Sequence, residues 1–226
     1  MKRTMNRTSN GVGVSPTPSN KLVHTANQLG LPGIARMQGT TKIVVDTVLI
    51  ADSANPQTLN FFVNTNNKSR NFSNLQNGTL KAGESLLIEN IYFTRVELTG
   101  ADLNADTTGV VANLPLVQNA IGESLALAQF DLEIANSTVI DDFPIIEQLP
   151  WINPLQASVT SYNPTTAGET YLGRSVIKTE AMPVIPPNQG FRVSLRVPPI
   201  TGLPANSAIV CGLGRFGSLF SAKENL

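Results

Sequence analysis

The chain contains short segments in which apolar and polar residues alternate with a period of two. In the clearest of them, 191–197, Phe191, Val193, Leu195 and Val197 alternate with polar residues between two proline pairs. This alternation is typical of a β-strand with one buried face. Proline cannot donate a hydrogen bond to a central ladder, so the proline pairs mark the ends of the predicted strand.

Seven further segments show a strand pattern and are separated by stretches rich in glycine, proline and asparagine. They are 42–50, 59–64, 86–98, 126–134, 171–179 and 207–213, with a less regular one at 107–112. Eight strands joined by long connections are the number expected for one jelly roll. The sequence therefore predicts an all-β fold, an eight-stranded antiparallel jelly-roll sandwich, as a single domain over residues 42–226.

Three of the connections have patterns of their own. Residues 114–121 place apolar side chains on one helical face, and residues 142–149 begin with an aspartate suited to an N-cap, so we predict one or two short helices in loops. The polar segment 65–78 predicts an exposed loop.

The first 41 residues predict a basic, flexible arm outside the sandwich. Its positive charges, all of which precede the first acidic residue in the sequence, are Lys2, Arg3, Arg7, Lys21 and Arg36. Residues 10–19 are rich in turn-forming types, which indicates an extended or disordered conformation in isolation. Such an arm is either a passive tail or a segment that reaches a neighbouring subunit or an anionic surface, where attraction would be weak and salt-sensitive.

The overall charge is low and balanced. Charged residues make up 14% of the chain, against roughly 25% in ordinary soluble domains, and 16 basic residues match 16 acidic ones. Free monomers usually keep their net charge away from zero for solubility. This composition therefore favours a protein packed among neighbours.

Few residues are suited to catalysis. The single histidine, His24, lies in the arm, which disfavours Ser-His, Cys-His and multi-histidine metal sites, and the single cysteine, Cys211, lies in an apolar run and is expected to be buried. Asp141, Asp142 and Glu147 suggest either a carboxylate pair for glycoside hydrolysis, a calcium site, or a helix cap with a solvated face. We expect the last, and therefore no catalytic residues, metal or cofactor.

Trp151, the only tryptophan, lies between two prolines. Its side chain would seal a subunit contact, stack on a sugar, or close the edge of the core. We take it as the candidate contact aromatic.

Two segments carry a resemblance to a known family. They are residues 73–88, SNLQNGTLKAGESLLI, which lead into a long predicted strand, and residues 182–191, MPVIPPNQGF, which lead into the penultimate one. In these segments the chain resembles the jelly-roll capsid proteins of tailless icosahedral bacteriophages, the group that includes internal-membrane phages with vertical β-barrels.

The resemblance implies a structural virion protein, a self-assembling shell subunit such as a major capsid protein. It implies homo-oligomeric capsomers, trimers or larger, partnered by other virion proteins, with the arm facing inward to contact viral membrane or genome. The protein would reside in the virion after assembly in the host cytoplasm. The alternative is a receptor- or glycan-binding spike, penton or fibre-head protein, for which Trp151, Tyr162 and Tyr171 are the aromatic candidates.

Overall fold

The computed structural model describes residues 18–31, 37–75, 77–114, 125, 127–145, 150–151, 172–173 and 177–220. These residues form one α-helix, α1 (Pro18–Gln28), one 3₁₀ turn (Thr65–Asn67) and twelve strands. The strands are β1 (Met37–Leu49), β2 (Gln57–Phe61), β3 (Glu84–Leu98), β4 (Val110–Leu114), β5 (Gln129–Ile134), β6 (Ser137–Pro144), β7 (Pro150–Trp151), β8 (Leu172–Gly173), β9 (Ile177–Lys178), β10 (Val184–Ile185), β11 (Phe191–Val197) and β12 (Ser207–Phe220).

Two antiparallel sheets make up the sandwich, so the predicted all-β class is confirmed. One sheet has the order β1-β12-β3, and the short strands β10, β9 and β4 pair in succession along the remaining edge of β3. The other sheet has the order β2-β11-β5-β6. A separate two-stranded pair joins β7 to β8.

The main core lies between the two sheets and follows the alternation in the sequence. In β11 the four apolar side chains are buried and both arginines are exposed. Four phenylalanines link the sheets. The ring centroid of Phe93 in β3 lies 6.0 Å from that of Phe61 and 5.2 Å from that of Phe130, and the centroids of Phe130 and Phe143 are 5.6 Å apart. Their burial supplies a large hydrophobic contribution to folding.

Cys211 is buried in this core, as the sequence predicts. Burial raises the pKa of its thiol well above the usual value, and the nearby carboxylate of Asp46 raises it further. A thiol in such surroundings behaves as a small apolar side chain rather than as a nucleophile.

Residues 18–28 differ from the extended arm that the sequence predicts. They form α1, which contacts β1 and β12 and buries Thr25 and Ala26. Pro18 begins the helix, a position where its fixed φ and missing N–H are tolerated. The sandwich also begins earlier than predicted, because β1 starts at Met37 and pairs with the far end of β12. Residues 1–17 and 32–36 lie outside the described residues.

The predicted helix at 142–149 is wrong over its first three residues, which end strand β6. β6 is joined to β5 by a two-residue turn, Ala135-Asn136, with φ of 50° and 64°. Positive φ at both central residues is the geometry of a tight hairpin, and this pairing overrides the local helix signal. The helix predicted at 114–121 lies outside the described residues except for Leu114, which ends β4.

Candidate functional site

Of the five arm cations, the structure describes Lys21. Its ammonium lies 2.5 Å from Glu89 Oε1, and the two side chains are 14% and 12% exposed. Lys21 therefore has an acidic partner within the fold and is not an unpaired charge. Lys2, Arg3, Arg7 and Arg36 lie outside the described residues.

α1 is held to the six-stranded sheet at two places. Lys21 pairs with Glu89 in β3, and His24 Nε2 is 3.0 Å from the carbonyl oxygen of Met182, just before β10. The single histidine thus makes a hydrogen bond that anchors the helix. No helix among the described residues combines the length and the hydrophobicity needed to cross a bilayer.

Trp151 lies in β7, where it pairs with Leu172 of β8. Its side chain, and residues Glu147, Tyr162 and Tyr171, lie outside what the structure describes. The candidate contact aromatic therefore stays a prediction.

The outer face of the four-stranded sheet carries a ladder of ion pairs. Arg192 Nη2 lies 2.7 and 2.8 Å from the two carboxylate oxygens of Glu133, and Arg196 Nη2 lies 2.9 Å from Asp131 and also contacts Asp142. Cross-strand pairs of opposite charge favour this sheet register, although each exposed pair contributes only about 0.2–1 kcal/mol.

A β-bulge brings the candidate carboxylates together. Asp141 and Asp142 in β6 together oppose Asp131 in β5, and oxygens of the three side chains lie within 4.8 Å of one another. Arg196 is bound to two of the three, and the Asp142 N–H donates to Asp131 at 2.8 Å. The geometry is that of a bulge whose negative charge is partly compensated by Arg196.

The β2–β3 loop, residues 62–83, is fastened to β1 by polar contacts, of which those of Asp46 are buried or partly buried. Asp46, fully buried on the core side of β1, accepts a hydrogen bond from Phe62 N at 2.7 Å and another from Lys68 Nζ at 2.8 Å. The Asn74 side chain accepts from Val45 N and donates to Ile43 O. These bonds also cover the free edge of β1, which would otherwise be open to pairing with another chain.

This loop borders three adjoining depressions, which we call the loop groove. Their volumes are about 630, 520 and 340 Å³. The first and second share Arg70, and the second and third share Asn77 and Thr79. The polar pattern of residues 65–78 predicts an exposed loop but gives no sign of a groove, because the groove exists only where separate loops meet.

An ion pair between Lys42 and Glu84 lies in the wall of the middle depression. Partial burial alone would raise the pKa of the Glu84 carboxyl group, but its hydrogen bond with Lys42 and the charges of Lys42 and Lys81 lower it below the usual value. Because the pKa of Glu84 is lower in the folded protein than in the unfolded chain, the ionised carboxylate stabilises the fold at pH values above the unfolded-state pKa. This stabilisation is lost as the pH falls through the folded pKa.

We therefore expect Glu84→Gln to lower the free energy of unfolding by up to about 1 kcal/mol near neutral pH, because the pair is partly exposed. The difference from the unmodified protein should disappear in acid, where Glu84 is protonated in both states. Urea unfolding at neutral and acidic pH measures both values. An equal loss at the two pH values would mean that the charge of Glu84 is not the cause.

No protein-family model matches the chain, and no curated protein or solved structure is significantly similar to it.

Proposed function

We propose that the chain is a jelly-roll structural protein of a virion, a self-assembling shell subunit of a tailless icosahedral phage. The observation that carries the proposal is the strand order. When β4 and the two-residue strands β7, β8 and β9 are set aside, eight strands remain, in chain order β1, β2, β3, β5, β6, the two-residue β10, β11 and β12.

The first and last of these strands pair, as do the second and seventh, the third and sixth, and the fourth and fifth. A long antiparallel ribbon that wraps around a core produces these four pairings. The wrapping also places the last strand beside the third and the seventh beside the fourth, and both contacts are present. This order supports a jelly roll, an architecture found in viral capsid proteins, lectins and cupins.

Among these three classes, the sequence disfavours a metal-bearing cupin. Such a site needs several inward-facing histidines, whereas the one histidine of the chain lies in α1 and bonds to Met182 O. Fold alone does not assign function, so the choice of a shell subunit rests on further features. These are the low balanced charge, the basic N-terminal segment and the resemblance to phage capsid proteins.

The two segments that carry the resemblance are neighbours in the fold. Residues 73–88 lead into β3 and residues 182–191 lead through β10 into β11, and β10 pairs directly with the start of β3. A second contact, between Thr79 and Gly190, lies nearby. The two segments that carry the resemblance therefore form one structural unit of the fold.

A shell requires many weak contacts per subunit. The sandwich supplies a rigid body, and β6 is an exposed edge strand whose residues 137–139 are exposed. Contacts that are individually weak hold an assembly when each subunit makes several of them at once. We assign the same role to the loops at both ends of the sandwich.

The test is the assembly state of the purified full chain, measured by electron microscopy and mass determination across salt concentrations. We expect curved sheets or closed particles. Discrete trimers that do not grow, at any salt concentration, would favour the spike or fibre-head alternative, and a stable monomer would contradict both.

A further inference from the structure

We propose that the loop groove binds a linear anionic saccharide, a chain of sugars that carries carboxylate or phosphate groups. The inference does not depend on shell formation, because every lining residue comes from one chain. Because the three depressions share lining residues, they form one continuous surface rather than a single pocket. An oligosaccharide matches that shape better than a single small molecule does.

The middle depression contains two cationic side chains that form no direct salt bridge among the described residues, although one of them, Lys81, lies near enough to Glu84 to lower the pKa of its carboxyl group. Of the eight cationic side chains that the structure describes, five form ion pairs: Lys21, Lys42, Lys68, Arg192 and Arg196. Two of the remaining three, Arg70 and Lys81, line this depression together. Both are exposed, so an oxyanion can reach them, and the guanidinium offers two parallel donors that match a carboxylate or a phosphate.

Neutral polar groups surround these charges. The side chains of Asn77, Asn188 and Thr79 line the middle depression, and none of them has a hydrogen-bond partner among the described residues. An amide offers donors and an acceptor, and a hydroxyl offers both, which is the set that sugar hydroxyls require. The groove therefore places cationic donors for an anion beside amide and hydroxyl groups that can both donate hydrogen bonds to sugar hydroxyls and accept hydrogen bonds from them.

The backbone around these groups is held in place. Asn77 and Asn188 both adopt positive φ, at 61° and 56°, in tight turns. Asn188 N donates to Leu80 O, which ties the 186–190 turn to the β2–β3 loop. A side chain at Gly78 would lie 2.9 Å from Phe62 O, so this close approach needs glycine. Fixed loops lose little conformational entropy when a ligand binds.

The groove is less suited to single-stranded nucleic acid, the other common linear anion. Binding of single strands relies on exposed aromatic rings that stack with the bases. The two aromatic residues that line the groove, Phe62 and Phe191, are 2% and 5% exposed and belong to the core. A saccharide needs no such rings when charge and hydroxyl contacts supply the recognition.

The experiment measures binding of four six-unit probes to the full chain by isothermal titration calorimetry at low salt. The probes are a hexagalacturonate, a phosphorylated maltohexaose, neutral maltohexaose and the oligonucleotide dT6. We expect saturable binding of the two anionic sugars, and the tighter of them identifies carboxylate or phosphate as the preferred group. Neutral maltohexaose and dT6 should bind at least about tenfold more weakly, since each lacks one of the two recognition elements.

Variants locate the site. Arg70→Gln and Lys81→Gln should each weaken binding about fivefold, the value expected for one exposed charge contact. Arg196→Gln makes the same change in net charge outside the groove and should leave affinity within about twofold. Glu84→Gln removes the acidic side chain that lines the middle depression and should strengthen binding. Thermal unfolding checks that each variant is folded.

Four results would overturn the proposal. They are no saturable binding of either anionic sugar, equal binding of neutral maltohexaose, tighter binding of dT6, and unchanged affinity in both Arg70→Gln and Lys81→Gln. The third result would reassign the groove to nucleic acid.

Discussion

Asp46→Ala is expected to lower the free energy of unfolding by about 3–5 kcal/mol. The Asp46 carboxylate is 0% exposed, and it accepts hydrogen bonds from Phe62 N and from Lys68 Nζ. Removing it leaves a buried amide without an acceptor and takes the acidic partner from an ammonium that is largely buried. Both changes carry a desolvation penalty that the intact pair offsets. Urea unfolding of the single variant measures the loss.

A double-mutant cycle with Lys68→Met separates the ion pair from the hydrogen bond to Phe62. We expect a coupling free energy of more than 1 kcal/mol between positions 46 and 68, because the pair is buried. The exposed pair Arg192–Glu133 provides the matched control, with a coupling of about 0.2–1 kcal/mol. A loss below about 1 kcal/mol in Asp46→Ala would show that the loop is held mainly by its other contacts, such as those of Asn74.

Deletion of residues 1–36 is expected to leave the sandwich folded and to reduce the assembled fraction at least about tenfold at equal subunit concentration. Of the residues of this segment that the structure describes, 18–31, none belongs to the core between the sheets, so folding should persist. Some stability is lost, because Glu89 loses Lys21 and the sheet loses its contacts with α1. Far-ultraviolet circular dichroism checks folding, and electron microscopy with mass determination measures assembly.

A shorter deletion, of residues 1–17, separates the two parts of the segment. It removes Lys2, Arg3 and Arg7 and keeps α1 in place. If charge is what the segment contributes, this deletion should impair assembly at low salt and have little effect at high salt, where electrostatic attraction is screened. Normal assembly of the 1–36 deletion at every salt concentration would make the whole segment a passive tail.

Local pattern predicted most of the sandwich strands. Segment 191–197 is confirmed in both position and burial, because its alternation is regular and prolines bracket it. β12 was predicted to end at residue 213, yet it continues to Phe220. Its residues after 213 include two glycines, Gly214 and Gly217, and show no regular alternation of apolar and polar side chains. They are held by pairing with β1 on one side and β3 on the other.

The two wrong local predictions have the same origin. Residues 142–144 were predicted to begin a helix, and residues 18–28 were predicted to belong to the extended N-terminal arm. The first is a strand because the turn at Ala135-Asn136 pairs it with β5, and the second is a helix packed against β1 and β12. Tertiary contacts contribute more free energy than the small differences in local propensity.

The candidate site was only partly visible in the sequence. Asp46 lies at a position of β1 that faces the core, and a buried carboxylate needs hydrogen-bond partners. No local pattern identified Phe62 N and Lys68 as those partners. Arg70 and Lys81 looked like ordinary surface charges. Their position in one depression depends on how the β2–β3 loop folds against the 186–190 turn.

By itself, the sequence determined that this protein is all-β, that Cys211 is buried, and which residues of the clearest strands face the core. These properties follow from alternation and hydrophobicity, which act residue by residue. Only the tertiary structure decided the strand order, the helix in the N-terminal segment, the partners of Asp46 and the loop groove. Each of these depends on contacts between residues far apart in the chain, and the free energy of such contacts cannot be read from either partner alone.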